Sequence, residues 1–470
     1  MTVFPAMKKF VLIFLLILCG CQTLQLQPAA VREDEGTVFL YLQPFSRDAE
    51  RLRFSLSSFA ALKDDGTEIP VPLSLSEFKS EDMARQRLIA AAQLPAGKYS
   101  GFLVRVKSAA LKTAVGSAAL LIPETPQKIA FPFSVEKGKA FMISLTLRYA
   151  QSLQGEVNFS PAFLVAIPVQ PLVEVTGYAT NAGLDSIMVF DKIHLQATSV
   201  IATGSNPQGI VLDQRLKRAY VALSGDDAVE VFDLNSEISL TKTMLRRGDE
   251  PLDLALTPDG LTLLVVDNHS DTVSIIDTVA MVEVSRIPVG RSPRSLVIDK
   301  TGMKAFVFNS MSDNISVIDI SYRQVMGTIA TGPEPLWGQF NQAGDRLYVI
   351  HAAYPYLYVF NPASFAVVRR EFLGMGMLSL KVDTRTDQLY IGKKNDTMVT
   401  VYDPLSFAPV GSIQTGGTVT YMTIDGETNF LYLLIPSRKV LMVVNLASKR
   451  PVSEIDVSEH PAWMTLMGER

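Results

Sequence analysis

GYATNAGLDSIMVFD (177–191), AYVALSGDDAVEVFD (219–233), LLVVDNHSDTVSIID (263–277), AFVFNSMSDNISVID (305–319), LYVIHAAYPYLYVFN (347–361), LYIGKKNDTMVTVYD (389–403) and LYLLIPSRKVLMVVN (431–445) are seven versions of one 15-residue window. Each opens on an apolar pair and closes on an apolar run ending in Asp or Asn. The closing positions, from Asp191 to Asn445, lie 42, 44, 42, 42, 42 and 42 residues apart. A period of about 40–45 residues built of short strands is the mark of a β-propeller. The expected fold is therefore all-β: a seven-bladed β-propeller over 171–470, preceded by a β-sandwich.

Outward from the windows, each unit carries an anchor where an inner strand should start: Pro207, Pro251, Pro293, Pro335, Met377, Val419 and Pro461. Proline suits the first residue of a strand, where no ladder donor is needed. Three residues earlier stand Gly204, Gly248, Gly290, Gly332, Gly374 and Gly416, with Ser458 the exception. Glycine there is expected to supply positive φ between blades. Five residues after each anchor come Leu212, Leu256, Ile298, Phe340, Val382, Ile424 and Leu466, expected to fill the contact between neighbouring blades. The first window has no anchor strand ahead of it, and the last anchor, Pro461, has no window after it. The segment after Pro461 should therefore complete the first blade and close the ring, removing free sheet edges.

Windows such as AYVAL…VEVFD and AFVFNSMSDNISVID, with PVGRSP and ATGPEP between them, resemble the YVTN β-propeller repeats of bacterial periplasmic and surface proteins. The resemblance covers about residues 171–470 and implies the fold. Relatives include surface-layer components, proposed nucleic-acid binders and proteins linked to redox maturation, and lactonase-type enzymes share the architecture. Function must therefore be argued from the site.

At 470 residues the chain calls for more than one core. The composition is globular, 48% apolar and 19% charged, with a net charge of −4 and scattered cations. That argues against bulk capture of nucleic acid, which needs clustered cations. Residues 37–170 lack the repeat but hold alternating runs such as TVFLYLQ, LRFSLSSFAAL, YSGFLVRVKSA and FMISLTLRY, bounded by turn residues; they are expected to form a β-sandwich. The stretch from Ser80 to Ala92 reads equally as a short helix or a strand. LPAGKYSGFLVRV resembles a strand–turn–strand of immunoglobulin-like domains in bacterial surface lipoproteins, which implies a spacer or adhesion module.

The N-terminus has Lys8 and Lys9, an apolar run from Phe10 to Leu18, then Cys19-Gly20-Cys21. The run is too short to span a bilayer and fits a signal peptide over 1–20. Leu18-Cys19-Gly20-Cys21 resembles the lipobox of bacterial lipoproteins, which implies cleavage before Cys21 and lipidation, palmitate included, at Cys21. Gln22 rather than Asp after the cysteine implies the outer membrane, with the protein facing the periplasm or the cell surface. Residues 21–36 read as a tether; Gln22 to Gly36 would reach roughly 50 Å fully extended. The mature chain would hold no thiol, which excludes disulfides, cysteine catalysis and thiolate metal sites.

Residues that recur in most blades read as structural, and departures from the repeat as functional candidates. Asp185, Asp227, Asp271 and Asp313 share the ninth window position and are expected to cap their own hairpin turns rather than hold calcium. The fifth position varies: Asn181, Leu223, Asp267, Asn309, His351, Lys393 and Ile435. Asp267, Asn309, His351 and Lys393, with His269 nearby, are expected to line a channel mouth, either as a binding surface or as solvated loop residues. Two residues after the anchor, Trp337, Tyr421 and Trp463 are expected either as stacking platforms or as packing between blades. Arg246, Arg247, Arg291 and Arg294 lie in consecutive inter-blade loops as a candidate anion site, partly neutralised by Asp249 and Glu250.

No metal or cofactor is expected: the four histidines form no close pair, and no phosphate loop, dinucleotide fingerprint, haem-attachment motif or GxSxG elbow occurs. The reading is an outer-membrane-anchored lipoprotein whose non-catalytic propeller binds a protein or envelope-polymer partner through its inter-blade loop face. The alternative is a lactonase-like or other hydrolase using Asp267, His269, His351 and Lys393 on a small-molecule ligand. A third reading, single-stranded nucleic-acid binding on Trp337, Tyr421 and Trp463, has stacking groups without a basic groove.

Overall fold

The apolar alternation of each window becomes two adjacent strands, and the residues around each anchor become the strand beside them. In the computed structural model, which describes residues 34–114 and 116–469, these build a propeller-like, all-β architecture. Among the described residues, seven four-stranded antiparallel sheets follow the repeat. The second sheet, for example, runs Pro207–Asp213, Arg218–Leu223, Ala228–Asp233 and Ile238–Met244. The first sheet takes its inner strand from the far end of the chain: Pro461–Leu466 pairs antiparallel with Thr176–Asn181. The inner strands of successive sheets lie against one another, and Pro461–Leu466 also meets those of the second and seventh sheets.

A buried ion pair reinforces this closure. Lys192 of the first sheet and Asp425 of the seventh lie 3.3 Å apart, essentially without solvent contact. The same ammonium donates to the carbonyl of Met467. A charge pair this deep tolerates loss of either member poorly, because the remaining charge is left uncompensated.

Between sheets, the second window position supplies fully buried rings: Tyr178, Tyr220, Phe306, Tyr348, Tyr390 and Tyr432. Beside them the apolar residue five after the anchor reaches the preceding sheet. Val382 joins a cluster with Tyr348 and Val359, Ile424 one with Tyr390 and Val399, and Leu466 one with Tyr432 and Leu434.

The inter-sheet turns depart from expectation. Gly248, Gly374 and Gly416 have positive φ, at 84°, 90° and 66°, but Gly204, Gly290 and Gly332 do not. At those three, space is the constraint. A Cβ would stand 2.2 Å from Asp226 Oδ2 at Gly204, 2.7 Å from the Asn309 amide at Gly290 and 2.6 Å from the Tyr354 ring at Gly332. Positive φ falls instead on the residue before the anchor: Asn206, Glu250, Ser292, Glu334 and His460.

Among the described residues the N-terminal part holds two main sheets and a short two-stranded one, Leu153–Gln154 with Asn158–Phe159. One main sheet orders Phe163–Ala166, Ala140–Leu147, Glu35–Leu42 and Arg87–Pro95; the other has six strands centred on Leu52–Lys63 and Gly97–Thr113. Ser80–Met83 is a 3₁₀ turn, and the chain returns to a strand at Arg87. Leu40, Leu42, Ile143 and Leu145 meet Phe54, Phe59, Phe102 and Val104 in one core. The opposite face of the four-stranded sheet is also apolar: Phe39, Tyr41, Leu88 and Met142 pack with Ala197 and Val200 of the first sheet of the ring and Ile455 and Val457 of the seventh.

Polar groups fix the register of that contact. Gln86 donates to the Ala197 carbonyl at 3.1 Å and accepts from its amide at 2.9 Å. Asp456 accepts from Arg85, from Arg87 Nε at 2.8 Å and from the Leu88 amide at 3.0 Å. The expected signal peptide, Cys21 and the tether as far as residue 33 lie outside the described residues. No helix among the described residues is long and apolar enough to cross a membrane.

Candidate functional site

The three aromatic candidates come from inner strands of the fifth, seventh and first sheets, in Pro335–Phe340, Tyr421–Ile424 and Pro461–Leu466. Strands this far apart around the ring can bring side chains together only by projecting them toward its centre. The Trp337 and Trp463 rings lie 4.8 Å apart, Tyr421 and Trp463 5.0 Å, and Trp337 and Tyr421 5.9 Å. They are half-buried and meet one another at tilted or edge-on angles of 38–74°, a contact between side chains of three different sheets. Tyr421 has its hydroxyl pKa pushed well up, by burial and by the nearby charges of Glu469 and Asp253.

The same column elsewhere stitches the sheets together. Ser295 Oγ donates to the Leu336 carbonyl at 2.6 Å and Ser379 Oγ to that of Val419 at 2.8 Å. Asp253, buried, accepts from the Leu254 amide at 2.8 Å and the Leu296 amide at 3.0 Å. Burial raises its pKa to about 7. Sequence reasoning missed Asp253, although it shares the tryptophans' column. Glu469 pairs with Lys381 at 3.2 Å and accepts from Thr465 at 2.9 Å, tying the C-terminal segment to the sixth sheet.

The fifth-position residues do not form a common polar mouth. Asp267, Asn309 and His351 have no solvent exposure, because each turns inward to partners of its own sheet and its flanking loop. Asp267 accepts from Thr272 at 3.0 Å and Ser274 at 2.7 Å, and Arg286 stands 3.5 Å away. Burial raises its pKa to about 7. Asn309 donates to Asn314 and Ser316. His351 pairs with Thr331 at 2.7 Å and with the Tyr356 carbonyl at 3.1 Å, and burial lowers its pKa to about 4. Lys393 donates to the Leu373 carbonyl, whereas His269 is exposed. Asp267, His351 and Lys393 of the hydrolase alternative are thus held in separate local networks.

The ninth-position aspartates hold the loop ahead rather than their own turn. Asp185 accepts from the Asn206 amide, Asp227 from those of Gly248 and Glu250, Asp271 from Ser292 and Asp313 from Glu334. Each carboxylate thereby fixes a backbone 21–23 residues on, and the four are distributed over four sheets.

Arg246, Arg247, Arg291 and Arg294 are exposed. Among the described residues none of their guanidinium groups has a hydrogen-bond or ion-pair partner. Asp249 does not neutralise them: it is buried and bound to Arg286 at 2.7 Å and to the Arg246 amide. Arg294 is hemmed in by protein, which disfavours its charge, yet keeps solvent contact.

Residues 173–339 match the model of the YNCE-like beta-propeller family. No curated protein matches the chain. Among solved structures, a protein of unknown function from Desulfotomaculum acetoxidans is similar over 62% of this chain and 98% of its own, at 13% identity and a TM-score of 0.56. A candidate 6-phosphogluconolactonase of Bacteroides uniformis is similar over 62% and 98%, at 14% and 0.52. The dihydro-heme d1 dehydrogenase NirN is similar over 65% and 78%, at 11% and 0.51. At these identities the likeness concerns the fold alone.

Proposed function

We propose that this protein is a lipoprotein anchored to the outer membrane through Cys21, whose seven sheets are the blades of one closed, non-catalytic propeller. The N-terminal immunoglobulin-like sandwich is its spacer, and the inter-blade loop face binds a protein or envelope-polymer partner. One observation carries the reading. The polar groups suited to acid–base work, Asp267 and His351, are buried in internal hydrogen bonds, whereas Arg246, Arg247, Arg291 and Arg294 stand exposed on the loop face with, among the described residues, no partner for their guanidinium groups. Exposed guanidinium groups recognise carboxylate or phosphate on a partner in a forked geometry.

The test is in-cell photocrosslinking from positions 247 and 291, with position 301, in the turn at the far end of the fourth sheet's inner strand, as control. A recurrent partner captured only from the loop face is the expected result. Equal capture from both ends, or none, refutes it. Labelled palmitate entering the protein and lost in Cys21→Ser tests the anchor separately.

A further inference from the structure

A cleft of about 700 Å³ opens where the N-terminal part meets the loop ends of the first and seventh sheets. We propose that it is a binding site for an amphipathic carboxylate, independent of the loop-face partner. Its apolar wall includes Leu73, Leu88 and Leu184, and its polar wall Arg438, Lys439 and Ser458. The volume is that of ordinary small-ligand sites, which favour the junction of two structural units.

Two positions in this wall break the repeat. Ser458 replaces the glycine found in six units, and its buried hydroxyl, in a residue 3% exposed, has no hydrogen-bond partner among the described residues. An unsatisfied buried hydroxyl costs stability, so its retention beside a cleft asks for a ligand atom to engage it. Lys439 stands in the ninth window position, where the first four units have the loop-holding aspartate. Here the ammonium reaches forward to Glu459 at 2.6 Å instead. That pair is 53% and 64% exposed, and exposed pairs are weak enough to exchange for a ligand carboxylate. Around the cleft Arg87 is paired with Asp456 and Arg438 with Glu454, at 2.8 and 2.7 Å and both partly buried, which leaves the exposed Lys439–Glu459 pair as the one open to exchange. A ligand that sets an alkyl body on the leucines and a carboxylate at Lys439 matches both walls.

The test is calorimetric titration of the full chain carrying Cys21→Ser, so that no acyl chain competes, with octanoate, octanol and acetate as probes. Octanoate should bind; octanol and acetate, each lacking one half of the match, should bind about tenfold more weakly or less. Lys439→Glu should weaken octanoate about tenfold, the size of one charge-assisted hydrogen bond. Ser458→Gly, which restores the repeat, should weaken it severalfold, and Leu184→Trp should block it. Unchanged melting temperatures establish that these variants fold. Absence of octanoate binding, binding equal to octanol, or binding indifferent to both Lys439→Glu and Leu184→Trp overturns the proposal.

Discussion

Asp456→Ala should loosen the N-terminal part from the seventh sheet. The wild-type carboxylate, 10% exposed, takes Arg85 on one oxygen and Arg87 Nε and the Leu88 amide on the other. Alanine removes both charge-assisted bonds and leaves a buried amide unpaired, at about 1.5–3 kcal/mol for a charged bond and 1–3 kcal/mol for the orphaned donor. Arg85 keeps Glu454 at 3.3 Å, and both guanidinium groups retain some water, so the terms do not add in full. A net loss of about 3 kcal/mol is expected, at the lower end for breaking a buried pair. Urea unfolding followed by far-UV circular dichroism measures it. The midpoint should fall, and because Phe39, Tyr41 and Met142 share a core with Ile455 and Val457, both parts should unfold together in the wild type. Glu77→Ala, which removes an exposed carboxylate 3.8 Å from Lys79, should change stability by less than about 1 kcal/mol. If Asp456→Ala costs no more than this control, the carboxylate is effectively solvated and does not clamp the two parts together.

Three further outcomes are expected. Deleting residues 461–470 removes the inner strand of the first sheet and the Met467 carbonyl that Lys192 holds; cooperative unfolding of the ring should be lost, and an unchanged melting curve would disprove closure by this strand. Trp337 and Trp463 are the chain's two tryptophans and lie 4.8 Å apart, so near-UV circular dichroism should contain a coupled indole signal that either Trp→Phe variant abolishes. Asp267 has a folded pKa of about 7 against 3.8, so the folded state binds the extra proton. Its contribution is full below pH 3.8 and is lost as pH rises through about 7. His351, lowered from 6.5 to about 4, does the reverse: its contribution is present above pH 6.5 and lost as pH falls through about 4. The two slopes oppose each other between about pH 4 and 6.5, so relative to the wild type the stability of Asp267→Asn should rise with pH across this window and that of His351→Gln should fall; parallel curves for wild type and variants would refute the assignments.

The windows, the proline anchors and the strand that completes the first sheet could be read from the chain because they rest on local pattern. Alternation at period two dictates strand faces, proline at a strand start needs no partner, and a repeat that lacks its first strand must find it elsewhere. Positions such as Asp267, Asn309 and His351 could not be read in the same way. A polar residue at a strand end looks like a solvated loop residue; its burial depends on Ser274, Ser316 and Thr331 presenting partners to it, and the pairing across strands decides that. The TVFLYL run announced a strand but not that both of its faces are covered, since Leu40 meets one core while Phe39 and Tyr41 meet another. Nor did the tryptophan column reveal that three of its members meet one another, because residues more than 40 positions apart meet only once the ring is closed. Sequence by itself determined the repeating strand, since hydrophobic periodicity acts over a few residues. Only the tertiary structure decided which polar groups are buried, which cations stay free and where a cleft opens, since those follow from packing between elements distant in the chain.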